Sequence, residues 1–150
     1  MDAVTYPDQQ VADYIDDSFV ALKMAYDTQP FAEDFKVKWT PTIFVLDQSG
    51  NIHQTIVGFL PPEEFIPALE LGLAKVDFDL DCLDECQHHL NRILGSHPRS
   101  ASAPEAVYLL GVTRFKMTEQ GGALKEAYYQ LQERYPDSDW TRKASPYRLL

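Results

Sequence analysis

Residues 39–58 read WTPTIFVLDQSGNIHQTIVG, and this stretch decides the fold. Thr42 to Leu46 is almost wholly apolar and rich in β-formers, the composition of a strand buried on both faces. Asp47-Gln48-Ser49-Gly50-Asn51 is a hairpin turn, with Gly50 able to take positive φ. Ile52 to Val57 alternates Ile52, Gln54, Ile56 against His53, Thr55, Val57, as the antiparallel partner should. Gly58 breaks the run, and Thr40-Pro41 opens it.

Working outward, Pro61-Pro62-Glu63-Glu64 starts a helix whose acids suit the positive end of the dipole. Phe65, Leu69, Leu73 and Val76 form its apolar stripe, and Pro67 requires a start near Glu63 so that its missing N–H falls in the first turn. Upstream, Pro30 to Phe35 makes one or two helical turns. Phe19 to Tyr26 (FVALKMAY) is short, apolar and partly alternating, and is expected to be a strand. Val11, Tyr14 and Ile15 recur at helical spacing behind Asp8, a candidate N-cap. The expected order is therefore α-β-α-β-β-α.

Past Asp77 the pattern is helical only. Leu83, Cys86, Leu90, Ile93 and Leu94 line one helix that ends at Gly95; Ser96 to Pro104 is the expected internal linker. Ala106, Leu109, Leu110, Thr113 and Met117 stripe a second helix, and Gly121-Gly122 turn the chain. Leu124, Ala127, Tyr128, Leu131 and Tyr135 stripe a third, stopped by Pro136, with a frayed fourth from Asp139.

The 150 residues are 45% apolar and 12% aromatic, enough for a buried core. The net charge is −10, and residues 1–76 hold −8 of it, from twelve acids and four lysines. Such a chain repels phosphate, which argues against nucleic acid and against anionic membrane surfaces. No apolar run approaches a bilayer span and no leader follows Met1, so the expectation is a soluble chain with the cytoplasm as default compartment.

The α-β-α-β-β-α order with Thr40-Pro41-Thr42 at the head of a buried strand resembles the thioredoxin fold after its first strand. The start is similar to the thioredoxin-like domain of thiol-disulfide interchange proteins, through Met1, Tyr6, Asp8, Val11 and Phe19-Val20. The resemblance implies that Pro41 is a cis-proline, that Thr40 contacts substrate peptides as a short β-bridge, and that Trp39 lies on the rim. Trp39, Thr40 and Pro41 are thus the expected peptide-binding residues. The family's Cys-x-x-Cys, whose first thiol the helix dipole activates, has no match here. In the family that pair and a central strand lie immediately before the position of Met1. The resemblance therefore implies an N-terminally incomplete fold, an internal Met1, and open strand edges through which copies could associate.

The helical half resembles one tetratricopeptide-like helix pair, carried by Leu110-Gly111, Ala123, Tyr128 and Tyr135-Pro136. The expected division is a thioredoxin-like domain over 1–76 and a tetratricopeptide-like module over 77–150.

Other candidates weigh less. Cys82, Cys86 and His89 at i, i+4 and i+7 could share a metal, but no fourth ligand is fixed by spacing, and a core stripe explains them better. His53 on the alternating strand is read as a solvated side chain, and Glu63-Glu64 as dipole-compensating acids. No cofactor or metal is expected. Two functions remain: a thiol–disulfide oxidoreductase whose redox pair this chain lacks, leaving it inactive as a disulfide reductase, or a non-catalytic module that binds a protein or peptide partner. A glutathione-transferase-like reading fails because no Ser-containing turn follows the Ile52 to Val57 strand.

Overall fold

A computed structural model describes residues 1–150, save the side chain of Ala32. The chain divides into two compact units, Met1–Ile66 and Pro67–Leu150. The division falls inside a helix, ten residues before the change of sequence character at Asp77.

In the first unit, helix α1 (Gln9–Ser18) is capped by Asp8, whose carboxylate accepts from the N–H groups of Gln10 and Val11. Helix α2 (Phe31–Phe35) is short and ends on Lys36 in the left-handed region, φ 48°. Strands β1 (Thr42–Leu46) and β2 (Ile52–Val57) form an antiparallel pair with Ile43 opposite Ile56 and Val45 opposite Gln54. A register irregularity falls between Val45 and Leu46. The turn between the strands uses Gly50 at φ 84°, a conformation few residues but glycine adopt. Asp47 organises that turn by accepting from the N–H groups of Ser49 and Asn51 and from the Asn51 side chain.

The hairpin buries the face that carries Val45 and Ile56, while Phe44 on the other face packs its ring 4.9 Å from that of Phe35. Val11, Thr5 and Phe65 complete the buried set of this unit; Thr5 donates to the Leu60 carbonyl at 2.6 Å, and Tyr6 meets Phe65 edge-on at 5.8 Å. The Thr40–Pro41 peptide bond is cis, as is Gln29–Pro30.

The expected strand at Phe19–Tyr26 does not form. The segment is irregular, and its side chains face water: Val20 is fully exposed and Leu22 is 73% exposed. The sheet has two strands, so the segment has no neighbour to supply a ladder, and an unpaired strand has no means of satisfying its backbone except water. The observed order is α-α-β-β-α.

Helix α3 runs from Pro62 to Asp79. Pro67 therefore lies in its second turn, where it removes one helical N–H donor, rather than in the first turn as expected. Its burial is also broader than one stripe: Ala68, Leu71 and Ala74 are buried with Phe65 and Leu69, whereas Leu73 and Val76 are half-buried.

The second unit continues with α4 (Leu83–Ser96), α5 (Ala103–Thr118), α6 (Gly122–Arg134) and α7 (Asp139–Ala144), then a 3-10 helix over Ser145–Leu149. Leu71 and Ala74 of α3 pack with Cys86, Leu90 and Ile93 of α4 and with Ala103, Ala106 and Leu110 of α5. A second cluster joins Val107 to Ala127, Tyr128 and Leu131 of α6 and Ala144 of α7. Met117, placed in a core stripe by periodicity, is 41% exposed because it sits at the open end of α5. The expected linker at Ser96–Pro104 is a packed corner: Ser100, Ser102 and Ala103 are buried, and Tyr135 donates to the Pro98 carbonyl at 2.6 Å. Among the described residues no helix is long and apolar enough to cross a membrane.

Candidate functional site

Strand β1 has one partner, β2, and so one edge without a strand. Its polarity follows from the ladder. Gly58 donates to the Pro41 carbonyl at 2.8 Å, which makes Pro41 and Gly58 a hydrogen-bonded pair. Bonded and non-bonded positions alternate along an antiparallel strand, so Pro41, Ile43 and Val45 face β2, and the peptide groups of Thr42 and Phe44 face the open edge.

An open groove of about 320 Å³ is lined by Tyr26, Val37, Lys38, Trp39 and Thr40, the last of them two residues before β1. Trp39 is 69% exposed and Tyr26 68%, unusual positions for two large rings in one small unit. The local chain explains the presentation. Helix α2 stops at Lys36, residues 37–40 run exposed or half-buried into the strand, and the Thr42 hydroxyl donates to the Trp39 carbonyl at 2.6 Å. That bond fixes the backbone of Trp39 against the head of β1. Trp39 and Thr40 therefore line one groove, and Pro41 follows as the first residue bonded to the β2 side. Tyr26, Val37 and Lys38 belong to the same groove and were not picked out in the sequence; Tyr26 looked like the end of a buried strand.

The cysteines lie elsewhere. Cys82 is the exposed residue before α4 and Cys86 is fully buried one turn later; both are free thiols. Burial pushes the Cys86 thiol up, against the opposing effect of its hydrogen bond with Thr113, so it is a poor thiolate at neutral pH. His89 does not join them as a ligand: its Nδ1 is 2.6 Å from Glu70 Oε1. Among the described residues no cluster of His, Cys, Asp and Glu has the arrangement of a metal site.

His53 is not solvated as expected. Its Nε2 lies 3.2 Å from Asp47 Oδ2, which ties β2 to the turn. The hydrogen bonds from Asn51, first through its side chain, hold the Asp47 carboxyl well below the usual carboxylate range. Glu63 and Glu64 sit in the first turn of α3, where carboxylates offset the helix dipole.

A hairpin headed by Thr40-Pro41, flanked by helices α2 and α3, defines a thioredoxin-like domain. Residues 3–73 match the family model of the thioredoxin-like domain. No curated protein and no solved structure matches the chain.

Proposed function

We propose that this chain binds extended segments of protein partners at Trp39, Thr40 and Pro41, as the substrate-binding part of a thiol–disulfide oxidoreductase whose redox cysteine pair is not among these residues. The observation that carries this reading is the groove lined by Tyr26, Trp39 and Thr40. Thr40 supplies backbone bonds as a short β-bridge, and the rings supply contact area at low entropic cost.

The test is a fluorescence titration with an unfolded, thiol-blocked insulin B chain in a Trp140→Phe background, which leaves Trp39 as the reporter. A saturable change in emission that a Thr40→Pro variant loses supports the backbone bridge, because that substitution removes the Thr40 N–H and leaves both the Thr42–Trp39 bond and the bonds to β2 in place. No saturable change at any peptide concentration would sink the proposal.

The rival reading is a non-catalytic thioredoxin-like module. It is favoured by the unlike environments of Cys82 and Cys86, one exposed and one buried with its thiol pushed up. An insulin-reduction assay separates the two readings for these residues. We expect no dithiol-dependent turnover, and turnover that persists in the double variant Cys82→Ser/Cys86→Ser would overturn that expectation.

The second unit fits a tetratricopeptide-like partner surface. Gly111 on α5 lies where a side chain would collide with Ala127 of α6 and come within 3.3 Å of the Ala123 carbonyl, the close helix crossing that such pairs use. The open edge of β1 also offers a route to self-association, and sedimentation of the purified chain over a concentration series would reveal it.

A further inference from the structure

Helix α3 buries a carboxylate. Glu70 is 2% exposed, within the otherwise apolar run Ala68–Leu73. Its Oε1 lies 2.6 Å from His89 Nδ1 and 3.4 Å from Arg92 Nη1, both on α4. The other ring nitrogen of His89, Nε2, faces Asp77 Oδ2 at 3.4 Å. Asp77 stands two helical turns beyond Glu70, on the same face of α3. One imidazole thus has a carboxylate of α3 at each nitrogen.

A neutral imidazole has one N–H and one lone pair; an imidazolium has two N–H groups. Only the charged ring can donate to both acids. We propose that His89 is a proton-operated pin: with both nitrogens protonated it fastens α3 to α4 at Glu70 and at Asp77, and on losing one proton it keeps Glu70 and releases Asp77.

The order of release follows from the geometry. The Glu70 contact is the shorter and its carboxylate is buried beside Arg92, so the remaining proton stays on Nδ1. Nε2 then turns a lone pair toward the Asp77 carboxylate, which is 21% exposed and can rotate into water. Asp77 begins the corner that joins the two helices. Its carbonyl accepts from Cys82 N–H at 2.8 Å, Leu80 N–H bonds to Val76 at 3.0 Å, and Asp81 has φ 65°. Losing the side-chain anchor loosens these three amides.

The surrounding charges are accounted for. Glu85 of α4 acts on Asp77, and the His88 ring is 6.0 Å from His89. From α5, Glu105 is engaged by Lys75 at 2.6 Å and Lys116 by Asp81 at 2.8 Å. Burial raises the Asp77 carboxyl above its ordinary value of 3.8, with His89 opposing and Glu85 adding. A raised carboxyl contributes stability at low pH that is lost as pH rises through its folded value. The contact of Asp77 with the charged ring opposes that loss, and the corner loosens when the second ring proton leaves and Nε2 no longer donates.

Amide exchange by NMR on the whole chain tests the pin, with protection factors compared at about pH 5.5 and about pH 7.5, either side of most imidazole titrations. Protection of the Leu80, Asp81 and Cys82 amides should fall about tenfold on going to the higher pH, the worth of one charge-assisted bond. In His89→Gln and in Asp77→Asn the fall should vanish, and in His88→Gln it should remain. Asp77→Asn leaves the Glu70 contact intact and serves if the His89 variant does not fold. A fall that survives in Asp77→Asn, or no fall in the natural chain, would overturn the proposal.

Discussion

Replacing Gly111 by alanine sets two opposite effects against each other, and the structure decides which wins. In a helix interior the change normally stabilises by about 1 kcal/mol, because alanine restricts the unfolded chain and shields the backbone. Here the added methyl would run into Cβ of Ala127, a short side chain that cannot swing away, with the Ala123 carbonyl 3.3 Å off. Helix α6 must then shift from α5, and overpacking of this kind costs about 1–3 kcal/mol. The net expectation is destabilisation of up to about 2 kcal/mol. For a unit the size of Pro67–Leu150 each kcal/mol lowers the melting temperature by roughly 4–8 °C. Gly95, inside α4 with nothing within 4 Å of its would-be Cβ, is the control. There the same substitution should raise stability by about 0.5 kcal/mol. Urea and thermal unfolding followed by circular dichroism measure both. Adding Ala127→Gly to Gly111→Ala should recover part of the loss as a coupling energy. A Gly111→Ala protein at least as stable as the natural chain would refute the close-crossing argument.

Further expectations concern the first unit and the thiols. A thiol reagent should label Cys82 rapidly in the folded chain and Cys86 only on unfolding; equal rates would contradict the burial of Cys86. The lowered Asp47 carboxyl contributes stability that is present above about pH 4, the unfolded range, and is lost as pH falls toward its folded value. Asp47→Asn should therefore lower the urea midpoint at neutral pH and flatten its decline in acid; an unchanged acid profile would count against the turn network. Val45→Ala, at a site 3% exposed, should cost about 2 kcal/mol. Leu22→Ser, at a site 73% exposed, should fall within about 0.5 kcal/mol of the natural chain. Similar costs for the two would mean that the Phe19–Tyr26 segment is buried in solution.

The elements that could be read from sequence share a property: their evidence is local. The hairpin at Thr42–Val57 carries its partner five residues away and its turn chemistry between, so β1 and β2 appear with the boundaries expected. Asp8 caps α1 through bonds to the next turn, and Gly121-Gly122 mark the break before α6 for the same reason. What depended on distant packing was misplaced. Ser96–Pro104 has the composition of a linker, yet Ser100 and Ser102 are buried. A single charge, Glu70, in the run Ala68–Leu73 is a signal in the sequence that a partner is required. The partner, His89, lies nineteen residues on and no spacing rule reaches it.

Phe19–Tyr26 shows the same limit from the other side. Its pattern of apolar residues describes what a strand would bury, but a strand also needs a neighbour for its backbone, and periodicity carries no information about that neighbour. Among the described residues β1 is bonded on the β2 side and has no strand on its other edge, and the segment that could have used such an edge is exposed from Val20 to Tyr26. Tyr26, at the end of that segment, lines the same groove as Trp39 and Thr40. The failed strand and the open edge are thus two faces of one geometric fact. The first unit has β-forming sequence and backbone donors left over at one place, and that place is where the exposed aromatic rings collect. An extended partner is the chemistry that would use all three at once, which is why the peptide-binding reading rests on the groove and not on the cysteines.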